Sequence, residues 1–129
     1  MTKLLLALSF FVFSFNYSQD WKTISLDDEE AVFYKYNTDD TAWFKTVSEK
    51  TEYYPKNSKV AKIVKGYTLA LFKFDCDEKK MGILQMNVYS KEGKILDHFE
   101  VNEILADMSY VVPETIGERY FNEFCNKDK

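Results

Sequence analysis

From residue 21 to residue 99 the apolar positions recur every second residue, the period of a strand whose successive side chains point to opposite faces. Residues 21–26 (WKTISL) alternate in this way, and then four acids, Asp27, Asp28, Glu29 and Glu30, interrupt. Residues 31–36 (AVFYKY) carry aromatic and β-branched side chains and predict a strand. Asn37, Thr38, Asp39 and Asp40 supply turn chemistry, because Asn and Asp side chains bond their own backbone and tolerate positive φ. Residues 41–51 resume as a strand with Trp43, Lys45 and Val47 on one face, which closes a hairpin.

Residues 52–58 (EYYPKNS) hold Pro55 and read as a loop. Residues 60–76 (VAKIVKGYTLALFKFDC) form the longest apolar stretch of the chain after residue 20. Thr68, Ala70, Phe72 and Phe74 fall on one side and Tyr67, Leu69 and Leu71 on the other, so the pattern predicts a central strand covered on both faces. Gly66 marks a bulge or bend in it. After a turn at Asp77 and Glu78, residues 79–90 predict a strand with Leu84, Met86 and Val88 on one face and Met81, Ile83 and Tyr89 on the other. A turn over residues 91–93 and a strand over 94–99 complete an antiparallel meander. Residues 100–112 have no clean period, and a short helix around 101–106 is one way to read them. Thr115, Ile116, Gly117 and Glu118 then match the capping box, in which a Thr hydroxyl and a Glu carboxylate satisfy each other's free backbone N–H groups. Ile116, Tyr120, Phe121, Phe124 and Cys125 follow on one helical stripe.

The start of the chain has a different pattern. Met1, Thr2 and Lys3 precede twelve uncharged, mostly apolar residues, 4–15 (LLLALSFFVFSF), too few for the roughly 20 that cross a bilayer as a helix. Asn16, Tyr17, Ser18 and Gln19 form a polar exit with a small residue at Ser18. This is the pattern of a secretory signal peptide over residues 1–18, and no cysteine for a lipid anchor stands at the junction. One domain over residues 19–129 is left, exported to the periplasm, the cell surface or the medium, with no transmembrane anchor expected.

Export changes the meaning of the two cysteines, Cys76 and Cys125. Thiols pair in oxidising compartments, and two cysteines allow one pairing; two buried free thiols are the alternative. The pairing would tie the C-terminal helix to the end of the central strand. The expected fold is therefore α+β: an antiparallel sheet of about six strands with a C-terminal helix packed on it and disulfide-linked to it.

The order Phe74-Asp75-Cys76, Lys79-Lys80, Tyr89, Gly93, then Pro113 with the Thr115–Glu118 box, then Cys125, resembles the surface-adhesin E family, the Haemophilus protein E-like domains. Trp21 and the hairpin over residues 34–47 resemble that family's opening strands. The resemblance implies the same sheet-plus-helix fold with a disulfide between its layers. It also implies a secreted or surface-exposed bacterial protein, some of whose relatives adhere to extracellular-matrix proteins.

Composition narrows the chemistry. Apolar residues make up 46% of the 129 positions and charged residues 29%, which excludes a disordered chain. A net charge of -4 argues against a nucleic-acid partner. One histidine, His98, cannot alone equip a nucleophilic site, and no phosphate-loop, dinucleotide, nucleophile-elbow or zinc-protease motif occurs. Neither catalysis nor a cofactor is expected. The run Asp27–Glu30 lacks the glycine and alternating spacing of a calcium loop and reads as a solvated turn. The remaining candidate is a basic-aromatic surface: Lys56, Lys59, Lys62 and Lys65 recur every third residue beside Tyr53 and Tyr54. It suits an acidic matrix protein or glycan, or else it is a lysine-protected sheet edge. A binding or adhesion module is the first expectation. A carrier of a small hydrophobic ligand and an envelope protein that oligomerises through a sheet edge are the others.

Overall fold

The computed structural model describes residues 21–126. The expected signal peptide lies outside the described residues. Strands β1 (Lys22–Leu26), β2 (Glu30–Thr38), β3 (Thr41–Tyr53), β4 (Lys62–Asp75), β5 (Lys80–Ser90), β6 (Ile95–Glu100) and β7 (Ser109–Tyr110) form one sheet, followed by helix α1 (Ile116–Cys125). The strands lie in sequence order β1 to β6, each antiparallel to its neighbour, and β7 continues the edge beside β5. The sheet is the expected meander with one additional short strand.

Turn chemistry sets the corners. The Asp27 carboxylate accepts the N–H groups of Glu29 and Glu30 at 2.9 and 2.7 Å, so the acidic run is a self-bonded turn. The Asp75 carboxylate accepts from the Glu78 N–H at 3.0 Å, and Lys79 at φ 56° completes that reversal. At the crossing of β4 and β5 a side chain on Gly66 would meet the Tyr89 carbonyl oxygen at 2.1 Å, so only glycine fits there.

Helix α1 lies on one face of the sheet. There Tyr34, Ala42, Phe44 and Phe74 meet Phe121 and Phe124, with Ile24, Phe72, Met81, Val111, Tyr120 and Cys125 around them. Phe44 stacks on Tyr120 with ring centres 4.0 Å apart, and Phe74 stacks on Phe124 at 4.6 Å. Cys76, just past β4, is bonded to Cys125 in the last turn of the helix, with their Cα atoms 5.7 Å apart. The Thr115 hydroxyl caps the helix by accepting the Glu118 N–H at 3.2 Å. The Glu118 carboxylate accepts from Glu114 at 3.3 Å, not from Thr115, because Glu114 at φ 65° turns its own N–H toward it.

Two expectations need correction. The central strand β4 is covered on one face only: Ala70 and Phe74 are buried beneath the helix side, while Leu69 and Leu71 stay half-exposed on the other. The alternation of β5 is broken where β4 passes from Leu71 to Phe72, because β5 carries one extra residue there. The bulge puts Met81 and Ile83 on the helix face together with Met86 and Val88, where a regular strand would have separated them. The stretch 101–106, open to a short helix in the sequence, holds a single 3-10 turn, Glu103–Leu105, capped by the Asn102 side chain.

Candidate binding surface

Strands β3 and β4 are longer than their neighbours. The β2–β3 pairing ends at Glu30 and Ser48, and the β4–β5 pairing ends at Gly66 and Ser90. The Glu49 N–H still donates to the Glu29 carbonyl at 3.2 Å and the Lys91 N–H to the Lys65 carbonyl at 3.0 Å, and beyond those bonds β3 and β4 pair with each other through Thr51–Val64, Glu52–Ile63 and Tyr53–Lys62. Residues 48–66 therefore form a two-stranded arm that reaches about 14 Å past the sheet, at about 3.4 Å per residue over the four residues from Gly66 to Lys62, since β3 carries one extra residue between Ser48 and Thr51.

The arm gathers every residue of the expected basic-aromatic surface. Tyr53 ends β3, which runs two residues further than the expected loop boundary. Tyr54 and Lys56 follow in the connection, where Asn57 takes the turn at φ 62°, and Lys59 lies before β4. The lysines do not form one stripe. A spacing of three on a strand of period two sends Lys62 and Lys65 to opposite faces of β4. Lys65 is bound to Glu49 at 3.1 Å, whereas Lys56, Lys59 and Lys62 make no ion pair among the described residues. The lysines thus occupy both faces of β4 and the connection at the tip instead of lining one side.

Two apolar members of this surface were hidden in the sequence. Val60 and Ile63 are 73% and 64% exposed on the arm, beside Tyr54 at 55%. An isolated hairpin is marginal in water, and its apolar side chains have no sheet or helix to bury against. Residues 48–66 hold five lysines and two glutamates, a net +3 on a chain whose total is -4. The arm is a basic, partly apolar projection from an acidic body.

The base of the arm borders an open cleft of about 310 Å³ between the Asp27–Glu30 turn, Val47, Lys65, Tyr67 and Lys91. On the helix side a second open groove of about 400 Å³ runs along Phe72, Met81, Ile83, Phe99, Val101 and Leu105. The more enclosed hollow beside α1, lined by Ile24, Val32, Ile116 and Tyr120, holds about 40 Å³. Among the described residues no group of three or more His, Cys, Asp or Glu side chains is placed to hold a metal ion. His98 is not a free surface group: its Nδ1 bonds the side-chain oxygen of buried Asn87, and its Nε2 lies 3.4 Å from Glu100.

Three tyrosines have phenols raised above their ordinary value of 10.0. Burial raises Tyr34, with the nearby Glu123 carboxylate adding to it, and its hydroxyl is buried with no hydrogen-bond partner among the described residues. Burial under the helix raises Tyr120, against a hydrogen bond with Thr46 that lowers it. Tyr36, in the open, is raised by donating to Asp39 at 2.9 Å. These phenols belong to the packing of sheet and helix and lie apart from the arm.

No described helix is long and apolar enough to cross a membrane. No family model matches the chain, and neither a curated protein nor a solved structure matches it.

Proposed function

We propose that this chain is an exported, non-catalytic binding module of the surface-adhesin E type, and that the β3–β4 arm is its contact element for an acidic partner. The observation that carries the reading is the arm itself: Tyr54, Val60 and Ile63 exposed among lysines, held away from an acidic body. Apolar anchors surrounded by charge are the anatomy of a protein contact, with the rings and aliphatic groups supplying affinity and the lysines steering approach. The Cys76–Cys125 bond supports export, since disulfides persist where the medium is oxidising. Some members of the family it resembles adhere to matrix proteins, which agrees with contact as the activity.

The test is adhesion of the purified chain to immobilised acidic matrix proteins, with and without the exchange of Lys56, Lys59 and Lys62 for Glu. Binding that falls sharply in the variant, and that weakens from 50 to 500 mM salt in the parent, supports the arm. Binding unchanged by both overturns it. The helix-side groove favours a second reading, a carrier of an apolar ligand. A carrier holds its ligand in an enclosed space of about 300 Å³ or more, whereas this groove is open along its length. A fluorescent fatty acid displaced from the chain by unlabelled competitor would favour the carrier.

A further inference from the structure

The sheet has a second face, opposite the one that α1 covers, and the 3-10 turn meets it at Lys73, which Glu103 pairs with at 3.2 Å. The registers place Lys35, Trp43, Leu71 and Gln85 along one row across the strands, and Trp21, just before β1, lies against Lys35 at its end. Phe33, Lys45, Leu69, Asn87 and His98 form the next row, and Val47, Tyr67 and Tyr89 the third. An antiparallel sheet with one solvated side normally shows water a polar face. This one presents rings and aliphatic chains instead, and Phe33, Trp43, Tyr67, Leu69, Leu71 and Tyr89 are all only half-buried.

The rings are organised around a cation. The Lys45 ammonium lies 5.9 Å from the centre of the Trp21 ring and 5.0 Å from that of Tyr67, and Tyr67 stacks on Tyr89 at 4.9 Å. Lys35 approaches the same Trp21 ring at 5.7 Å. Among the described residues no carboxylate pairs with Lys45. Along the β5–β6 margin the apolar rows give way to the Gln85 amide and the His98 ring, which is bonded to buried Asn87.

Size limits what fits. Five strands about 4.8 Å apart and three rows about 7 Å apart make a platform on the order of 400 Å². A stable protein interface needs about 800 Å² from each partner, so a second copy or a large protein is not matched by this face alone. A single-stranded nucleic acid stacks on rings too, but it brings a charge with every phosphate to a chain of net charge -4. A sugar fits all three features. The weakly positive C–H face of a pyranose lies on the electron-rich face of an aromatic ring, its hydroxyls meet the Gln85 amide, and one carboxylate meets the cation.

We propose that this face is a binding site for a short acidic oligosaccharide, with rings of Trp21 and Tyr67 against the sugar and Lys45 against its carboxylate. The site is separate from the arm. Trp21 and Trp43 are the only two tryptophans of the chain and both lie on this face, so tryptophan emission reports its occupancy directly. The full exported chain is titrated with a hexasaccharide of alternating uronate and N-acetylhexosamine, and in parallel with neutral cellohexaose, hexaglutamate and a single-stranded RNA hexamer. Saturable change in emission with the uronate sugar, weakened about ten-fold or more in K45M and kept when Lys56, Lys59 and Lys62 are exchanged for Glu, supports the site. W21A serves as the second variant if K45M does not fold. Equal binding of cellohexaose overturns the proposal, as does preference for the peptide or the RNA, or emission unmoved by any of the four. Loss of matrix adhesion with retained sugar binding in the lysine variant would separate the arm's function from this one.

Discussion

Replacing both Cys76 and Cys125 by Ser removes the covalent link between the end of β4 and the last turn of α1. The two cysteines are 49 residues apart in sequence, and a closed loop of that length restricts the unfolded chain by about 4 kcal/mol in the chain-entropy account. The helix is not held by the bond alone. Phe121 and Phe124 are buried against the sheet, and Phe124 stacks on both Tyr36 and Phe74. The serine chain should therefore keep its sheet and helix at 25 °C but lose much of its margin, since small domains are stable by about 5–15 kcal/mol in total. At roughly 4–8 °C per kcal/mol for a domain of this size, the melting temperature should fall by about 15–30 °C. Urea unfolding followed by circular dichroism, with and without the substitutions, measures the difference. Midpoints that coincide within about 0.5 kcal/mol would refute the reasoning, because the sheet and helix would then be joined equally well without the bond.

Phe44 is 1% exposed and touches rings from both layers, so Phe44→Ala should cost about 3–5 kcal/mol in the same urea assay. The Tyr34 hydroxyl is buried without a described partner, so Tyr34→Phe should leave stability equal or raise it by about 1 kcal/mol, and a loss would reveal an unseen bond. Burial raises the phenols of Tyr34 and Tyr120 above 10.0, which means the folded chain keeps protons the unfolded chain releases. Their contribution is complete below pH 10.0 and is lost as pH rises through the folded values, so melting temperature should drop from about pH 10 upward and drop less in Tyr34→Phe.

Much of this fold is legible in the chain because its signals are local. Alternation marks each strand, Asn and Asp mark the corners, and the Thr115 hydroxyl with Glu118 marks the helix start to the residue. The features that escape are set by distant neighbours. The arm exists because β2 and β5 stop at Glu30 and Ser90 while β3 and β4 continue, and no window of sequence holds that comparison. Val60 and Ile63 read as interior residues of a long apolar strand until the missing neighbours expose them. The apolar second face of β4 predicts a covering layer, yet the described residues supply one short α-helix, enough for one side. The bulge in β5 shifts its alternation by one residue at Leu84, two residues past Gly82, the one residue there whose type marks a bulge.

The central claim is that the arm makes contact and the body carries it. Replacing residues 50–64 by an Asn-Gly turn joins β3 to β4 where their outer neighbours end, and leaves every ring of the helix-side core in place. Binding of this shortened chain to acidic matrix proteins, measured beside the parent by surface plasmon resonance, is the most direct measurement. The account predicts an armless chain that melts within a few degrees of the parent and no longer binds; a folded armless chain that binds as the parent does would contradict it.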